Sequence, residues 1–273
     1  MIVIQRKKIN DLKRWFSEYA QSFINGDEEC ERNIVLKADH TGRVCQEILQ
    51  LGQAMRLNTQ ELRLAEIIAL FHDIGRFEQY VRYRTFADRL SEDHASLGIR
   101  ILKENEVLNK FDKSTVSLIL RTIRYHNRAA LPHDETERCL FFSKLLRDAD
   151  KLDIWKVVTD YYHCQDKRRN VAIELDLPDT PGISEFVYQD IIHQRIVHAS
   201  HIRNLNDFKV LQMGWIFDVN FKSTFHAIRS RQYLEMIRQA LPESDEIQDI
   251  FNRVRLYLDQ HLNSSRNESQ LQI

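Results

Sequence analysis

Seven glycines and four prolines in 273 residues leave few places where this chain can reverse sharply. A sandwich or doubly wound sheet of that length needs turn residues at short, regular intervals, so their scarcity favours long helices joined by few connections. The length suits one large domain, or a core with an extension. Hydrophobic residues at 43% and aromatics at 10% suffice for a sizeable core, and charged residues at 29% make an ordinary soluble surface. The expected class is all-α.

Charge excludes some partners. The net charge is −1 and the pI about 6.8, so no global basic field draws the chain to nucleic acid. The start meets Gln5 and Arg6 after four apolar residues and lacks the apolar core of a secretory signal. No stretch approaches the roughly 18 apolar residues of a membrane span. The expected location is the cytoplasm, without a membrane partner. Cys30, Cys45, Cys139 and Cys164 have no CxxC spacing and are expected as reduced thiols or small buried side chains rather than disulfides.

Apolar periodicity predicts the helices. Residues 8–24 carry Leu12, Trp15, Phe16, Tyr19 and Phe23 on one side, and residues 26–30 break that run. From Asp39 onward, His40, Val44, Ile48, Leu51 and Met55 form one stripe. Asn58 or Thr59 caps a helix running to about Asp73, with Gly75 as its stop. Residues 76–90 read as an irregular, basic and aromatic segment, and Ser91 opens the next helix. Further helices are expected at 113–127, 135–157, 185–200, 206–220, 223–240 and 244–262. Residues 170–184 read as a loop with a short strand. The domain reading is an N-terminal helix (1–34) packing on a core (35–165), a C-terminal helical extension (166–262) and a polar tail (263–273).

Four of the eleven histidines, His40, His72, His94 and His126, sit on or beside the apolar face of four different predicted helices. One such histidine is ordinarily a satisfied core residue. Four need a partner each, and a shared cation satisfies them together. His72 is followed by Asp73 at a helix end, where imidazole and carboxylate can converge on one ion. Asp148, Asp150 and Asp153 close a strongly apolar helix, more acids than a solvated end requires, and helical phase does not choose among them.

This pattern resembles the HD-domain superfamily of metal-dependent phosphohydrolases, in which a histidine, a His-Asp doublet and a distal aspartate all lie on helices. His40 matches the first histidine. His72-Asp73 match the doublet, followed here by Ile74-Gly75-Arg76. Asp150 matches the last aspartate in its Ala149-Asp150-Lys151-Leu152 setting. The resemblance covers roughly residues 35–160. His94 and His126 look like the two further histidines of dinuclear members, which implies six ligands and two divalent cations bridged by Asp73. A mononuclear site of His40, His72, Asp73 and Asp150 is the smaller version. The resemblance leaves Mn, Fe, Ni, Zn, Co and Mg open as the metal. Residues 127–135 lack a Gly-Tyr-Pro motif, so the resemblance does not extend to cyclic dinucleotide specificity.

The mechanism so implied is phosphate-ester hydrolysis by a metal-activated water. Asp73, Arg76 and Lys151 are its catalytic candidates, and Arg76, Arg82, Arg84 and Lys151 its candidates for binding the substrate phosphate, with Arg124 behind them. His133 with Asp134 could protonate a leaving group, though a solvated loop histidine is the plainer account. Trp155, Tyr161 and Tyr162 could stack on a base, though such a stripe is more often core. The expected substrate is a small phosphomonoester or phosphodiester, with a nucleotide foremost. The alternatives are a catalytically silent HD-fold metal-binding module and a nuclease. The filled ligand set opposes the first, and the near-zero charge opposes the second despite basic runs at 124–128 and 165–170. The C-terminal helices are a candidate homodimer contact.

Overall fold

A computed structural model describes residues 3–164 and 170–264. The basic run at 165–169 and the polar tail from 265 onward lie outside the described residues. Those described are helical, with no strand among them, and no helix is long and apolar enough to cross a membrane. The chain divides into two compact units, Met1–Asp150 and Lys151–Ile273.

In the first unit, α1 (Arg6–Gln21) buries Ile9, Leu12, Phe16 and Ala20. Helix α2 (Glu28–Ala54) starts well before Asp39, because Asp27 caps it by accepting from Cys30 N and three acids lie in its first turn. Helix α3 (Thr59–Phe71) opens with the reciprocal capping box of Asn58 and Glu61. Residues Ile67 to Phe71 are all buried, as suits a helix packed against α1 and α2. Glu66 is buried too, and Arg6 (2.8 Å) and Lys13 (2.5 Å) of α1 compensate its charge.

Gly75 does not stop a helix. After a turn through His72–Ile74 it opens α4 (Gly75–Tyr83), so half of the supposedly irregular 76–90 segment is helical. Arg84 ends α4 in the left-handed conformation, φ 54°. The glycine is needed for space: a Cβ there would lie 2.2 Å from His94 O and 2.7 Å from Gly98 N of α5 (His94–Glu104). Asp93, not Ser91, caps α5 by accepting from Ser96 N. Helix α6 (Lys113–Tyr125) packs on α3 and α5, and the first unit ends within α7 (Glu137–His163).

The second unit holds the rest of α7, the one-turn α8 (Val171–Glu174), α9 (Glu185–Ile192), α10 (Leu205–Gly214), α11 (Lys222–Arg231), α12 (Tyr233–Gln239) and α13 (Asp245–Asn263). The loop expected at 170–184 contains α8 and no strand. The single helix expected at 223–240 is broken at Gln232, which takes a left-handed φ of 56°. Trp155 is fully buried and donates its indole N–H to Gln212 O at 2.9 Å, so it is core and not a stacking platform. Tyr161 and Tyr162 give their hydroxyls to Glu174 and Gln212. The helix expected at 185–200 stops at Ile192. Buried Asp190 anchors the irregular stretch beyond it, pairing with Arg195 (3.1 Å) and His201 Nδ1 (2.6 Å). Cys30, Cys45 and Cys139 are buried free thiols and Cys164 an exposed one.

The close packing of α4 on α5 sets a contrast between two glycines. Gly75→Ala should destabilise the protein by about 3 kcal/mol, since the methyl would overlap the backbone of α5 at His94 and Gly98. Gly42→Ala, on an open face of α2, should be neutral or stabilise by up to about 1 kcal/mol. Melting temperatures of the two variants check the difference.

Asp190 titrates below the usual carboxylate range: burial alone would raise it, but His201, Arg195 and the His198 N–H hold it down. Its folded value is thus lower than its unfolded value. The stabilisation is present above the ordinary aspartate range and is lost as pH falls through the lowered value. Asp190→Asn should therefore cost about 1–3 kcal/mol at neutral pH. Denaturant titrations of both proteins from pH 7 to pH 3 should show the gap closing.

Candidate metal centre

Four helices of the first unit and the turn after α3 bring six side chains together. His40 comes from the buried face of α2, His94 from the first position of α5, and Asp150 from α7. His72 and His126 each occupy the first position past a helix, α3 and α6 respectively. Helix ends carry carbonyls without intrahelical partners. His72 Nδ1 donates to Ala69 O at 2.7 Å, and His126 Nδ1 to Ile123 O at 2.6 Å, each three residues back. The same local device thus orients two imidazoles.

These bonds determine the tautomers. A carbonyl only accepts, so Nδ1 of His72 and His126 carries the proton and Nε2 of the neutral ring presents a lone pair. His94 Nδ1 faces the Asp88 carboxylate at 2.7 and 2.9 Å, which leaves its Nε2 in the same state. Yet His94 Nε2 lies 2.9 Å from His126 Nε2, and His72 Nε2 lies 3.3 Å from His40 Nε2. Lone pairs aimed at one another at that range call for a cation between them. Donor atoms on one ion with bonds of about 2.1 Å lie about 3.0–3.4 Å apart, so the spacing fits a transition-metal ligand set.

Asp73 ties the two pairs together. Its Oδ2 lies 3.5 Å from His40 Nε2 and 3.8 Å from His72 Nε2, and its Oδ1 lies 3.2 Å from His94 Nε2 and 3.6 Å from His126 Nε2. Asp150 Oδ1 joins the first pair, 3.1 Å from His40 and 3.7 Å from His72, and is buried without a well-directed hydrogen bond. The result is two ligand clusters, His40/His72/Asp150 and Asp73/His94/His126, each drawing ligand atoms within 4.8 Å of one another. Imidazole with carboxylate is the donor chemistry of borderline divalent cations.

A second layer holds the first. Asp88 fixes His94 and also receives Arg76 (3.0 Å) and Gln79 (2.8 Å). Arg147 of α7 donates to the carbonyls of Tyr125, His126 and Arg128, closing the end of α6 from which His126 projects. Lys37, one turn before His40, lies 2.8 Å from Asp73 Oδ2. Burial alone would raise the Asp73 pKa, but Lys37, His72 and Arg76 together hold it well below the usual carboxylate range. Burial also opposes ionised Asp88 and Asp150, and both are nevertheless lowered, Asp88 chiefly by His94 and Asp150 by His40 and His72.

The other candidates fare differently. Arg76 reaches the centre, its Nε 3.4 Å from Asp73 Oδ1, but its Nη1 is taken by Phe86 O, Gln79 and Asp88. Arg82 and Arg84 are not brought to it: half-exposed, they pair with Glu78 and Asp27. Lys151 pairs with Asp218 at 2.5 Å within the second unit. His133 and Asp134 stand exposed in the loop before α7. Lys37, Asp88 and Arg147 are additions to the expected set. Lys37 and Arg147 each lie three positions before a candidate ligand on the same helix, a signal available in the sequence. Asp88 lies in the stretch that reads as irregular and carries no such signal.

The family model of the HD domain matches residues 38–155. No curated protein and no solved structure matches the chain.

If the second layer acts as the geometry indicates, Asp88→Asn should weaken Mn²⁺ binding about 10–100-fold while leaving the fold intact. Calorimetric titration of the metal into both proteins, with circular dichroism as the control for folding, measures it.

Proposed function

We propose, from the match of the HD domain family model to residues 38–155 and the ligand geometry there, that the chain is a metal-dependent phosphohydrolase acting on a small phosphomonoester or phosphodiester, with a nucleotide as the leading substrate class. In this reading His40, His72, Asp73 and Asp150 hold one divalent cation, and Asp73, His94 and His126 hold a second. The carrying observation is the Asp73 carboxylate, each oxygen of which faces a different imidazole pair. Bound divalent cations would supply an activated water and neutralise charge developing on the phosphate.

The chain's own residues do the positioning. The carbonyls of Ala69 and Ile123, with Asp88, keep three rings in the tautomer that offers Nε2 inward. The C-termini of α3 and α6 add negative dipole ends that favour cations. Lys37 and Arg76 place two positive side chains at the rim, suited to phosphate oxygens. Burial of five of the six ligands below a tenth exposed keeps bulk water from competing, and Asp150 alone is more open.

The second reading is a silent metal-binding module. Its support is Lys37, whose ammonium sits directly on Asp73 Oδ2, where a cation would be coordinated. Metal analysis and turnover separate the two. Wild-type protein purified without chelator should carry divalent metal, and Asp73→Asn should lose most of it. With Mn²⁺ or Ni²⁺ added, the wild type should hydrolyse members of a panel of nucleotides, aryl phosphates and bis-aryl phosphodiesters. Asp73→Asn should lower kcat/KM at least about 100-fold, the upper range for loss of an outer-layer partner alone. Metal retained without any hydrolysis favours the module, and protein without metal refutes both.

A further inference from the structure

Helices α5 and α6 have a second meeting place, away from the histidines. Where they diverge toward the connection 105–112, a cleft of about 690 Å³ opens, lined by side chains of both helices and of that connection. Its apolar wall includes Leu102, Leu108, Phe111, Val116 and Leu120. None of the lining residues is a candidate metal ligand: Leu102 lies eight residues along α5 from His94, or about 12 Å at the rise of a helix, and the cleft comes nearest the histidines at Arg124, two residues before His126.

The rim is charged with one dominant sign. Lys103, Lys113, Arg121 and Arg124 line the cleft against the single carboxylate of Glu106. Arg121 is compensated by Glu135 at 2.5 Å. Lys103, Lys113 and Arg124 have no ion pair among the described residues, although the chain as a whole has net charge −1 and pairs many of its other surface cations. Small-molecule sites are concave and mostly apolar with a few convergent polar groups, and their volumes of about 300–1,000 Å³ bracket this cleft. An apolar wall under a cationic rim is complementary to a ligand with an apolar body and an anionic head.

We propose that the α5–α6 cleft is a binding site for a small free amphiphilic anion, an aryl or medium-chain acyl group bearing a carboxylate, sulfonate or phosphate. The apolar body lies against Leu102, Phe111, Val116 and Leu120. The head group meets Lys103 and Lys113, which flank the connection between the helices, and Arg124, about 16 Å further along α6, adds to the positive potential of the rim. A ligand there touches α5, which opens with His94, and α6, which is followed by His126.

Anilinonaphthalene sulfonate is a fluorescent probe of this chemistry, and the full-length protein can be titrated with it directly. Saturable enhancement should appear and be displaced by decanoate. Val116→Trp, which fills the cleft, and the double charge reversal Lys103→Glu/Arg124→Glu should each weaken probe binding about tenfold or more. The charge reversal alters only exposed side chains, so it decides the matter even if the filled variant misfolds. Equal probe affinity in the folded charge-reversed protein would overturn the proposal. So would probe binding that decanoate fails to displace while anionic phosphatidylglycerol vesicles do, since that marks a lipid surface and not a small-molecule site.

Discussion

A carboxylate buried between two pairs of imidazoles is the constraint around which the first unit is organised. Asp73 is nearly inaccessible, and burial by itself would drive it to its neutral form. It stays ionised chiefly because the Lys37 ammonium lies on its Oδ2 and Arg76 leans on it from the rim. Each imidazole in turn needs its outer nitrogen satisfied. For His72 and His126, the ends of α3 and α6 meet that need with carbonyls that any helix leaves unpaired. The positions at which helices stop are thereby part of the site, and not only its scaffold.

The same dependence explains the close contact of α4 and α5. His94 must stand at the first position of α5 to face His126, and Asp88 must reach its far side. Both conditions hold only if α5 begins hard against the start of α4, where Gly75 and Gly98 face each other. A Cβ on Gly98 would lie 3.0 Å from Ile74 Cγ2 and 3.2 Å from Gly75 N, and one on Gly75 would overlap backbone. The glycine directly after the His-Asp-Ile turn thus has a steric duty toward His94, a candidate ligand on a different helix.

This duty also marks the limit of what residues alone reveal. Helices α1, α3, α6 and α13 are legible because apolar spacing and caps such as Asn58 act locally. The convergence of His40, His72, Asp73, His94, His126 and Asp150 is legible only as a pattern of order and setting, since no local rule brings six positions over a hundred residues together. Gly75 reads as a helix stop because a sequence shows a missing side chain, not the backbone that needs its space. The arginines at 82 and 84 become candidates through proximity to the doublet. Yet α4 is a regular helix, and their carboxylate partners Glu78 and Asp27 lie elsewhere. The rim cation that escapes the sequence reading, Lys37, sits one turn from His40 on a helix that begins earlier than its apolar stripe suggests.

Charge balance connects these features to a choice of ligand. Apart from its histidines, the centre sets the three carboxylates of Asp73, Asp150 and Asp88 against the two cations Lys37 and Arg76, a net of one negative charge. Each divalent ion would then add two positive charges that no further carboxylate of the set compensates. In a pocket shielded from water such an excess is not screened cheaply, and it favours an anion carrying several oxygens over a neutral ligand. Phosphate esters would meet that requirement, and in the proposed reading Lys37 and Arg76, with less of Asp73 left to neutralise, would share the anion's outer oxygens. In the proposed reading, a preference for phosphate would follow from the small net charge of the protein centre itself, before any side chain is assigned to the rest of the substrate.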